Sequence, residues 1–256
     1  MDTTVESLNW RSTRTAVVIL LAIFLSSLLC LSLVYYNFPN LEPAERTHLK
    51  LPKNIEDAKR LGTVLSHYKD KYFLVVLSGF LITYVFLQSF AIPGSIFLSI
   101  LSGFLFSFPL ALFCVCLSSA VGASLCYLLS YLVGRRVVLK FWPNKVKEWA
   151  QTVDSHRNNL LNYIIFLRIT PFLPNWFINI TSPVIDVPLK TFFIGTFLGV
   201  APPSFIAIQA GTTLNTLTSN SGILSMHSVV AIFAMAAFSL IPVFLKNTLQ
   251  QKIKDV

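Results

Sequence analysis

Charged residues are scarce in this chain. Asp, Glu, Lys and Arg make up only 12% of the 256 residues, against roughly 25% in an ordinary soluble domain. Residues 15–41, 72–133 and 191–245 contain none of the four. Because about 20 apolar residues suffice to cross the hydrocarbon core of a membrane as a helix, these runs exclude a soluble globular protein. They predict a protein that crosses the membrane several times.

Cysteine and histidine are also sparse, which excludes several kinds of chemistry. The histidines are scattered at His48, His67, His156 and His227. The cysteines lie inside apolar runs without a CxxC spacing, at Cys30, Cys114, Cys116 and Cys126. This pattern indicates neither a disulfide framework nor a zinc site, and no nucleophile–base–acid set can be assembled. We therefore expect no metal, no cofactor and no chemical catalysis.

The charge that is present is mostly basic, with a formal net charge of +9. Lys and Arg concentrate in residues 37–71, in 134–159 and after Leu245. The positive-inside rule places such segments on the cytosolic side and makes nucleic-acid binding unnecessary as an explanation. All three segments are cytosolic if four stretches cross the membrane and two dip without crossing. The crossing stretches would be 72–90, 108–133, 188–210 and 228–245, and the dipping ones 91–107 and 160–185.

The N-terminal tail, residues 1–14, precedes the first apolar run. That run, residues 15–36, is longer than the apolar region of a signal peptide, and no small-residue cleavage site follows it. We therefore expect a retained first transmembrane helix.

Two apolar runs contain residues that break helices. "AIPGS" places Pro93 and Gly94 in one run, and "RITPFLPNWFINITSP", residues 168–183, places three prolines and two asparagines in another. Proline removes a backbone donor and glycine adds conformational freedom. In lipid, such backbone must be buried in protein or must face water. We interpret both stretches as re-entrant.

The two halves of the chain resemble each other at an offset of 79 residues. The matching pairs are Pro109/Pro188, Phe113/Phe192 and Val121/Val200. Pro93 and Pro171 stand in similar places ahead of the first pair. Broken segments in corresponding halves point to an inverted repeat with a central site.

Arg168 is the one cation in the second broken stretch. A charge at that depth costs roughly 2.5–3.5 kcal/mol on insertion scales, so it needs a partner or a wet cavity. It could bind a lipid phosphate or tie down orphan backbone carbonyls, and Asp186 is either its partner or an exposed end. The other candidate lipid-pathway residues are Gln88, Pro93, Gly94, Ser95, Pro171, Pro174, Asn175 and Asn179.

Small residues predict close helix packing in "GASLCYLLSYLVGR", residues 122–135. Candidate packing residues across the chain are Gly122, Tyr127, Gly134, Gly199, Pro202, Pro203 and Gly211.

Two stretches outside these runs predict amphipathic helices. One begins after a capping Asn54 and carries an apolar side of Ile55, Leu61, Leu65 and Tyr68. The other lies within about 135–158, with lysines between the members of an apolar face. Such a helix is typical of the membrane interface; its face comprises Val138, Trp142, Val146, Trp149 and Val153.

In this order and spacing, "AIPGS", "GASLCYLLSYLVGR" and "RITPFLPNW" resemble the VTT domain of the DedA superfamily, over about residues 15–250. The resemblance implies an all-α polytopic membrane protein with an inverted-repeat fold, in which two opposed re-entrant helical hairpins are flanked by transmembrane helices. The implied domain spans 72–215, after a basic loop at 37–71. A loop with the last transmembrane helix would follow at 216–245, and a basic tail at 246–256.

The resemblance also implies a function. It indicates an endoplasmic-reticulum scramblase that moves phosphatidylserine, phosphatidylcholine and cholesterol between leaflets without energy input, supporting autophagosome formation and lipid mobilisation. The implied partners are membrane phospholipids, vacuole membrane protein 1 and autophagy lipid-transfer proteins, with no nucleic acid. Lys252 and Lys254 in the terminal "KIKDV" resemble a retrieval signal for that compartment.

Departures from the family pattern argue against proton coupling. Bacterial members carry embedded acidic residues around the first hairpin, where this chain has Gln88 and Ser95, and a second arginine where Pro174 stands. Two other functions stay open: an ion-coupled secondary transporter, and a scaffold that organises membrane contacts without transport.

Overall fold

The structure, a computed structural model, describes residues 10–37, 50–134, 143–170 and 173–219. All regular secondary structure in these ranges is helical, as the sequence predicts. A π-helical turn covers Ser130–Gly134 and a 3₁₀ turn covers Arg157–Asn159. The α-helices are α1 Trp10–Tyr36, α2 Ile55–Lys69, α3 Phe73–Ser89, α4 Ser95–Leu105, α5 Phe108–Leu129, α6 Pro143–Ser155, α7 Leu160–Ile169, α8 Asn175–Thr181, α9 Leu189–Gly199 and α10 Ala201–Ser219.

Three stretches of the described chain are long and apolar enough to cross a membrane. They are Val18–Tyr36 in α1, Phe108–Leu132 in α5 and its π turn, and Leu189–Thr216 in α9 and α10. Helix α3, with 17 residues, is at the lower end of the spanning range. Helices α4 and α7 have 11 and 10 residues and rise only about 15 Å each, half of the hydrocarbon core. The chain is a multi-pass membrane protein.

Several predicted features lie outside the described residues. They are the crossing stretch 228–245, residues Val138 and Trp142, Pro171, and the retrieval lysines Lys252 and Lys254.

A tight turn joins α3 to α4. Ala91 and Gly94 have φ angles of 56° and 127°, a region that side chains rarely adopt. The stretch 91–107, which the sequence predicts to dip in and out, consists of this turn followed by one helix, α4. Within the predicted 160–185 the structure describes two short helices, α7 and α8.

The helices enclose two main hydrophobic clusters. Helices α2, α3, α4, α5 and α10 form the first, which includes Phe80, Leu98 and Val115. Helices α5, α7 and α9 contribute to the second, which includes Ile164 and Phe192. Helix α5 therefore belongs to both clusters.

The stretch α9–α10 also connects the clusters. Proline cannot donate a backbone hydrogen bond, and the helix breaks at Val200, directly before Ala201-Pro202-Pro203. Helix α9 packs on α7 and α5, whereas α10 packs mainly on α4. A Cβ atom on Gly103 would collide with the carbonyl oxygen of Ile208, and one on Gly211 with that of Ile100. These two glycines let the backbones of α4 and α10 touch.

The two predicted amphipathic helices form, and protein covers their apolar sides. Asn54 caps α2 by accepting a hydrogen bond from the Asp57 N–H at 2.7 Å, as expected, and Leu61 and Leu65 are buried. Ile55 is exposed. Helix α2 packs on α4, where the Lys69 Nζ donates to the Leu105 carbonyl at 3.2 Å.

Helix α6 covers the second half in a similar way. It spans Pro143–Ser155, and residues 135–142 of the predicted 135–158 lie outside the described residues. Pro143 lies in its first turn, where a helix tolerates proline. Val146 and Val153 are buried against the protein. The Trp149 ring packs edge-to-face on Phe177 of α8, with 5.3 Å between centroids.

Candidate functional site

Arg168 lies in the last turn of α7 and is buried, with only 4% of its surface exposed. Its Nη2 donates to the Oδ1 of Asn179 at 2.7 Å, and its Nη1 donates to the Oδ1 of Asn175 at 3.1 Å. The guanidinium carbon stands 5.1 Å from the centroid of the Phe192 ring, within cation–π range. Helices α7, α8 and α9 thus meet around one positive charge.

Two buried donors of this cluster have no hydrogen-bond acceptor among the described residues. They are the Nε of Arg168 and the Nδ2 of Asn179, and Asn179 is fully buried. A buried donor without a partner costs about 1–3 kcal/mol, and more when the group is charged. The cluster therefore lacks an acceptor, and an anionic oxygen would be the most favourable one.

The contacts of Arg168 differ from both structural roles predicted from the sequence. Its hydrogen bonds go to side-chain amides rather than to orphan backbone carbonyls. Among the described residues it forms no ion pair, so Asp186 is not its partner. Asp186 is exposed and has a φ of 56°. The charge is held by amides and an aromatic face.

A second polar cluster lies between α3, α4 and α5. The hydroxyl oxygen of Tyr84 is 3.1 Å from the Ser99 Oγ and accepts a hydrogen bond from the Ser119 Oγ at 3.2 Å. All three side chains are buried, as is Gln88 one turn further along α3. Sequence reasoning found Gln88 and Ser95 but missed Tyr84, Ser99 and Ser119. The helical spacing of 84 and 88, and of 95 and 99, was the available signal.

The two clusters occupy corresponding positions in the two halves. A Cβ atom on Gly122 would lie 2.6 Å from the Gln88 Cβ, and one on Gly199 would lie 2.6 Å from the Arg168 Cβ. Gln88 and Arg168 are 80 residues apart, as are Ser95 and Asn175, and Ser99 and Asn179. The first half thus carries hydroxyl and amide groups where the second carries a cation and two amides.

The remaining candidates lie around these clusters. The Tyr127 hydroxyl donates to the Val187 carbonyl at 2.7 Å, and Gly134 ends the π-helical turn. Pro93 is exposed in the α3–α4 turn, and Pro174 is the residue that precedes α8. Asn175 is exposed although it touches Arg168. Within the described ranges, no cluster of three His, Cys, Asp or Glu could hold a metal.

Comparison with known proteins identifies the family to which the chain belongs. The VTT domain profile matches residues 92–213, which include both polar clusters except Tyr84 and Gln88. The chain belongs to the family of VTT-domain membrane proteins in the DedA superfamily.

Within that family, the chain is similar to proteins named transmembrane protein 41B. It is 59% identical to that of Homo sapiens over 243 residues, which is 95% of this chain and 84% of the human one. It is 59% identical to that of Danio rerio over 97% of this chain and 88% of the fish protein. The Gallus gallus protein is 58% identical, over 95% and 90%. No solved structure matches the chain.

Proposed function

We propose that this protein is an endoplasmic-reticulum scramblase that moves phospholipids between leaflets without energy input. The observation that carries the proposal is the pair of buried donors on Arg168 and Asn179 that find no acceptor in the described part of the chain. Within a membrane, the phosphate of a lipid head group is an abundant ligand that supplies anionic oxygens. A guanidinium binds such oxygens well because its donors are planar and its charge is permanent.

The short helices support a path for the head group. Moving a head group across about 30 Å of hydrocarbon is slow because its polar groups lose their water. Helices α4, α7 and α8 are too short to span, so their ends bring polar backbone to membrane depth. Such backbone must be satisfied by protein or by a hydrated cavity. We propose an inverted repeat with two opposed hairpins, α3–α4 and α7–α8, between which a hydrated groove opens sideways to lipid.

The wider role belongs to the same proposal. We infer a cytosolic C-terminus, a contribution to autophagosome formation and lipid mobilisation, and partners that include vacuole membrane protein 1 and autophagy lipid-transfer proteins. Head-group transfer breaks no covalent bond, so the proposed function requires no chemical catalysis.

The test uses purified protein in liposomes whose two leaflets both contain fluorescent phospholipid. External dithionite quenches only the outer leaflet, so quenching stops near half without transfer. We expect quenching to go well beyond half with no nucleotide and no ion gradient. If it exceeds half only under a proton or sodium gradient, the protein is a coupled transporter. If it stops at half although folded protein is present, the proposal is wrong.

Arg168→Gln links this activity to the site. The amide cannot replace the charge, so one charge-assisted hydrogen bond to the phosphate is lost, which is worth roughly 1.5–3 kcal/mol. We therefore expect transfer to slow by about tenfold or more. Lys190→Gln is the matched control, because Lys190 is exposed at the start of α9. Equal rates for the two variants would remove Arg168 from the pathway.

A further inference from the structure

An apolar cavity of about 280 Å³ lies beneath α2. It is walled by the end of α1 and by α2, α3 and α4, and we call it the α2 cavity. Its polar lining residues are few: Lys50 and Tyr35, which are exposed, and Thr83 on α3. The rest of the lining is almost wholly aliphatic or aromatic.

A second cavity, of about 160 Å³, lies beneath α6. It is walled by α6, α7, α8 and the turns that follow α8, and we call it the α6 cavity. Trp149 and Val153 of α6 cover it, and Leu167 of α7 lines its side. It too is mainly apolar.

The two cavities are related by the same offset as the two polar clusters. Three positions of α4 that line the α2 cavity correspond, at an offset of 80 residues, to positions that line the α6 cavity. The pairs are Leu98/Ile178, Leu101/Thr181 and Leu105/Ile185. On the helices that precede these residues, Thr83 of α3 and Tyr163 of α7 form a fourth pair with this offset. Each cavity is thus walled by corresponding residues of one half and is covered by the amphipathic helix that precedes that half.

We propose that the α2 and α6 cavities are a pair of binding sites for the acyl chain of a phospholipid, one in each half of the repeat. This inference rests on the proposed scramblase function and adds to it the place where the tail is held while the head group moves. Each half would then hold one lipid, with its tail in the cavity and its head group near the polar cluster of that half.

The chemistry of the cavities favours an acyl chain. A mainly apolar lining offers water few hydrogen-bond partners, and a void without an occupant forfeits the dispersion contacts of its walls. Leu31 and Val34, which line the α2 cavity, belong to the membrane-crossing stretch of α1. Their neighbours Leu25, Leu29 and Leu33 are more than half exposed, so hydrocarbon chains of the bilayer surround this wall.

The size of the cavities limits what they can hold. Sites for drug-sized ligands usually measure about 300–1,000 Å³, and both cavities are smaller. A flexible chain can enter part-way and leave the remainder in the bilayer, whereas a rigid ring system such as a sterol must enter as a whole. The tail of a lipid fits this limit better than an entire lipid does.

The test is photolabelling of the full chain in liposomes by a phosphatidylcholine that carries a diazirine near the end of one acyl chain. Labelled peptides are identified by mass spectrometry. We expect label to concentrate in α2, α3 and α4 around the first cavity and in α6, α7 and α8 around the second. A diazirine sterol is the comparison probe, and we expect it to label neither cavity preferentially.

Cavity-filling variants make the test specific. Thr83→Trp fills the α2 cavity and Leu167→Trp fills the α6 cavity, and each should lower labelling of its own cavity by about tenfold while leaving the other labelled. The controls place the same ring on the same helices but facing lipid: Leu74→Trp on α3 and Phe166→Trp on α7, both at least half exposed. They should leave both cavities labelled.

The outcomes separate this proposal from the scramblase function. Labelling that is uniform along lipid-facing α1, or that survives both filling variants, would overturn the paired sites even if transfer is rapid. Preferential labelling by the sterol would assign the cavities to a different lipid and would also overturn the proposal. Labelling that follows the pattern above in protein that transfers no lipid would keep the sites and reject the function.

Discussion

The Nη2 of Arg168 lies 2.7 Å from the Oδ1 of Asn179, and neither residue has a carboxylate partner in the described part of the chain. Asn179 is the buried one of the two amides that accept from Arg168, so the buried charge should be sensitive to its loss. We expect Asn179→Leu to lower the free energy of unfolding by about 1.5–3 kcal/mol, measured from thermal or denaturant unfolding in detergent.

The double variant Arg168→Met/Asn179→Leu completes this cycle. Removing the charge as well as its acceptor leaves no unpaired ion, so the double variant should be more stable than Asn179→Leu alone. A double variant that is equally or less stable would show that Arg168 is solvated or paired in another way.

Gly103 allows α4 and α10 to touch. Because its Cβ would meet the backbone of Ile208 rather than a movable side chain, Gly103→Ala should destabilise the protein by about 1–3 kcal/mol or more. The measurement is the yield of monodisperse protein together with its unfolding midpoint.

Gly79→Ala is the control for this substitution. The new Cβ would lie 3.2 Å from the Cγ1 of Val34, a side chain that can adjust, and alanine favours a helix interior by roughly 0.5–1 kcal/mol. Its stability should be unchanged or higher. Equal losses for both variants would contradict the close contact of α4 with α10.

Tyr127 attaches α5 to the segment before α9. Its hydroxyl donates to the Val187 carbonyl at 2.7 Å, so Tyr127→Phe should leave that carbonyl with one partner fewer and cost about 1 kcal/mol of unfolding free energy. Tyr131→Phe, at an exposed position on the following turn, should cost nothing measurable. The comparison fails if the two substitutions have the same effect.

Asp57 makes the stability of the N-terminal turn of α2 depend on pH. A hydrogen bond from Lys50 holds the pKa of the Asp57 carboxyl below its usual 3.8, with the Lys50 Nζ 3.1 Å from its Oδ1. Since the folded-state pKa is lower than the unfolded one, the stabilisation is present above pH 3.8 and is lost as the pH falls through the folded-state pKa.

Asp57→Asn should therefore lower the unfolding midpoint at pH 6, and the difference from wild type should shrink towards pH 3. The carboxylate lies in the first turn of the helix, where negative charge is favourable. Asp70→Asn, at the other end of the same helix, should lack the loss at pH 6. A difference for Asp57→Asn that stays constant with pH would contradict the role of its charge.

Local features could be predicted from the sequence because they depend on neighbouring residues. The Asn54 cap and the helical class follow from hydrogen-bonding groups within a few positions, whereas the break at Val200 interrupts the stretch 188–210 that the sequence predicted to cross as one segment. Apolar periodicity also predicted that α2 and α6 each have a buried side. It could not predict what buries that side, since a face that packs on protein and one that rests on lipid have the same pattern.

The partners of Arg168 could not be predicted for a related reason. A carboxylate such as Asp186 is the usual expectation for a buried cation, whereas two amides and a ring contact Arg168 because the fold brings α7, α8 and α9 together. The sequence matches of the two halves have an offset of 79 residues, whereas the offset is 80 between Gln88 and Arg168 and 77 between Gly122 and Gly199. The sequence could not show that the offset changes along the chain. Helix α5 is continuous, whereas the corresponding stretch of the second half is divided into α9 and α10.

The contact between α4 and α10 also has a consequence for synthesis. Helix α4 leaves the ribosome early, but α10, which packs against it at Gly103, follows much later. Thr212 of α10 donates a hydrogen bond to the Gly103 carbonyl across 109 residues of chain. Until α10 is inserted, α4 is a short helix with an uncovered side inside the bilayer. The first half therefore cannot complete its folding ahead of the second, and a chain cut between α5 and α6 should be held by insertion factors or degraded rather than mature alone.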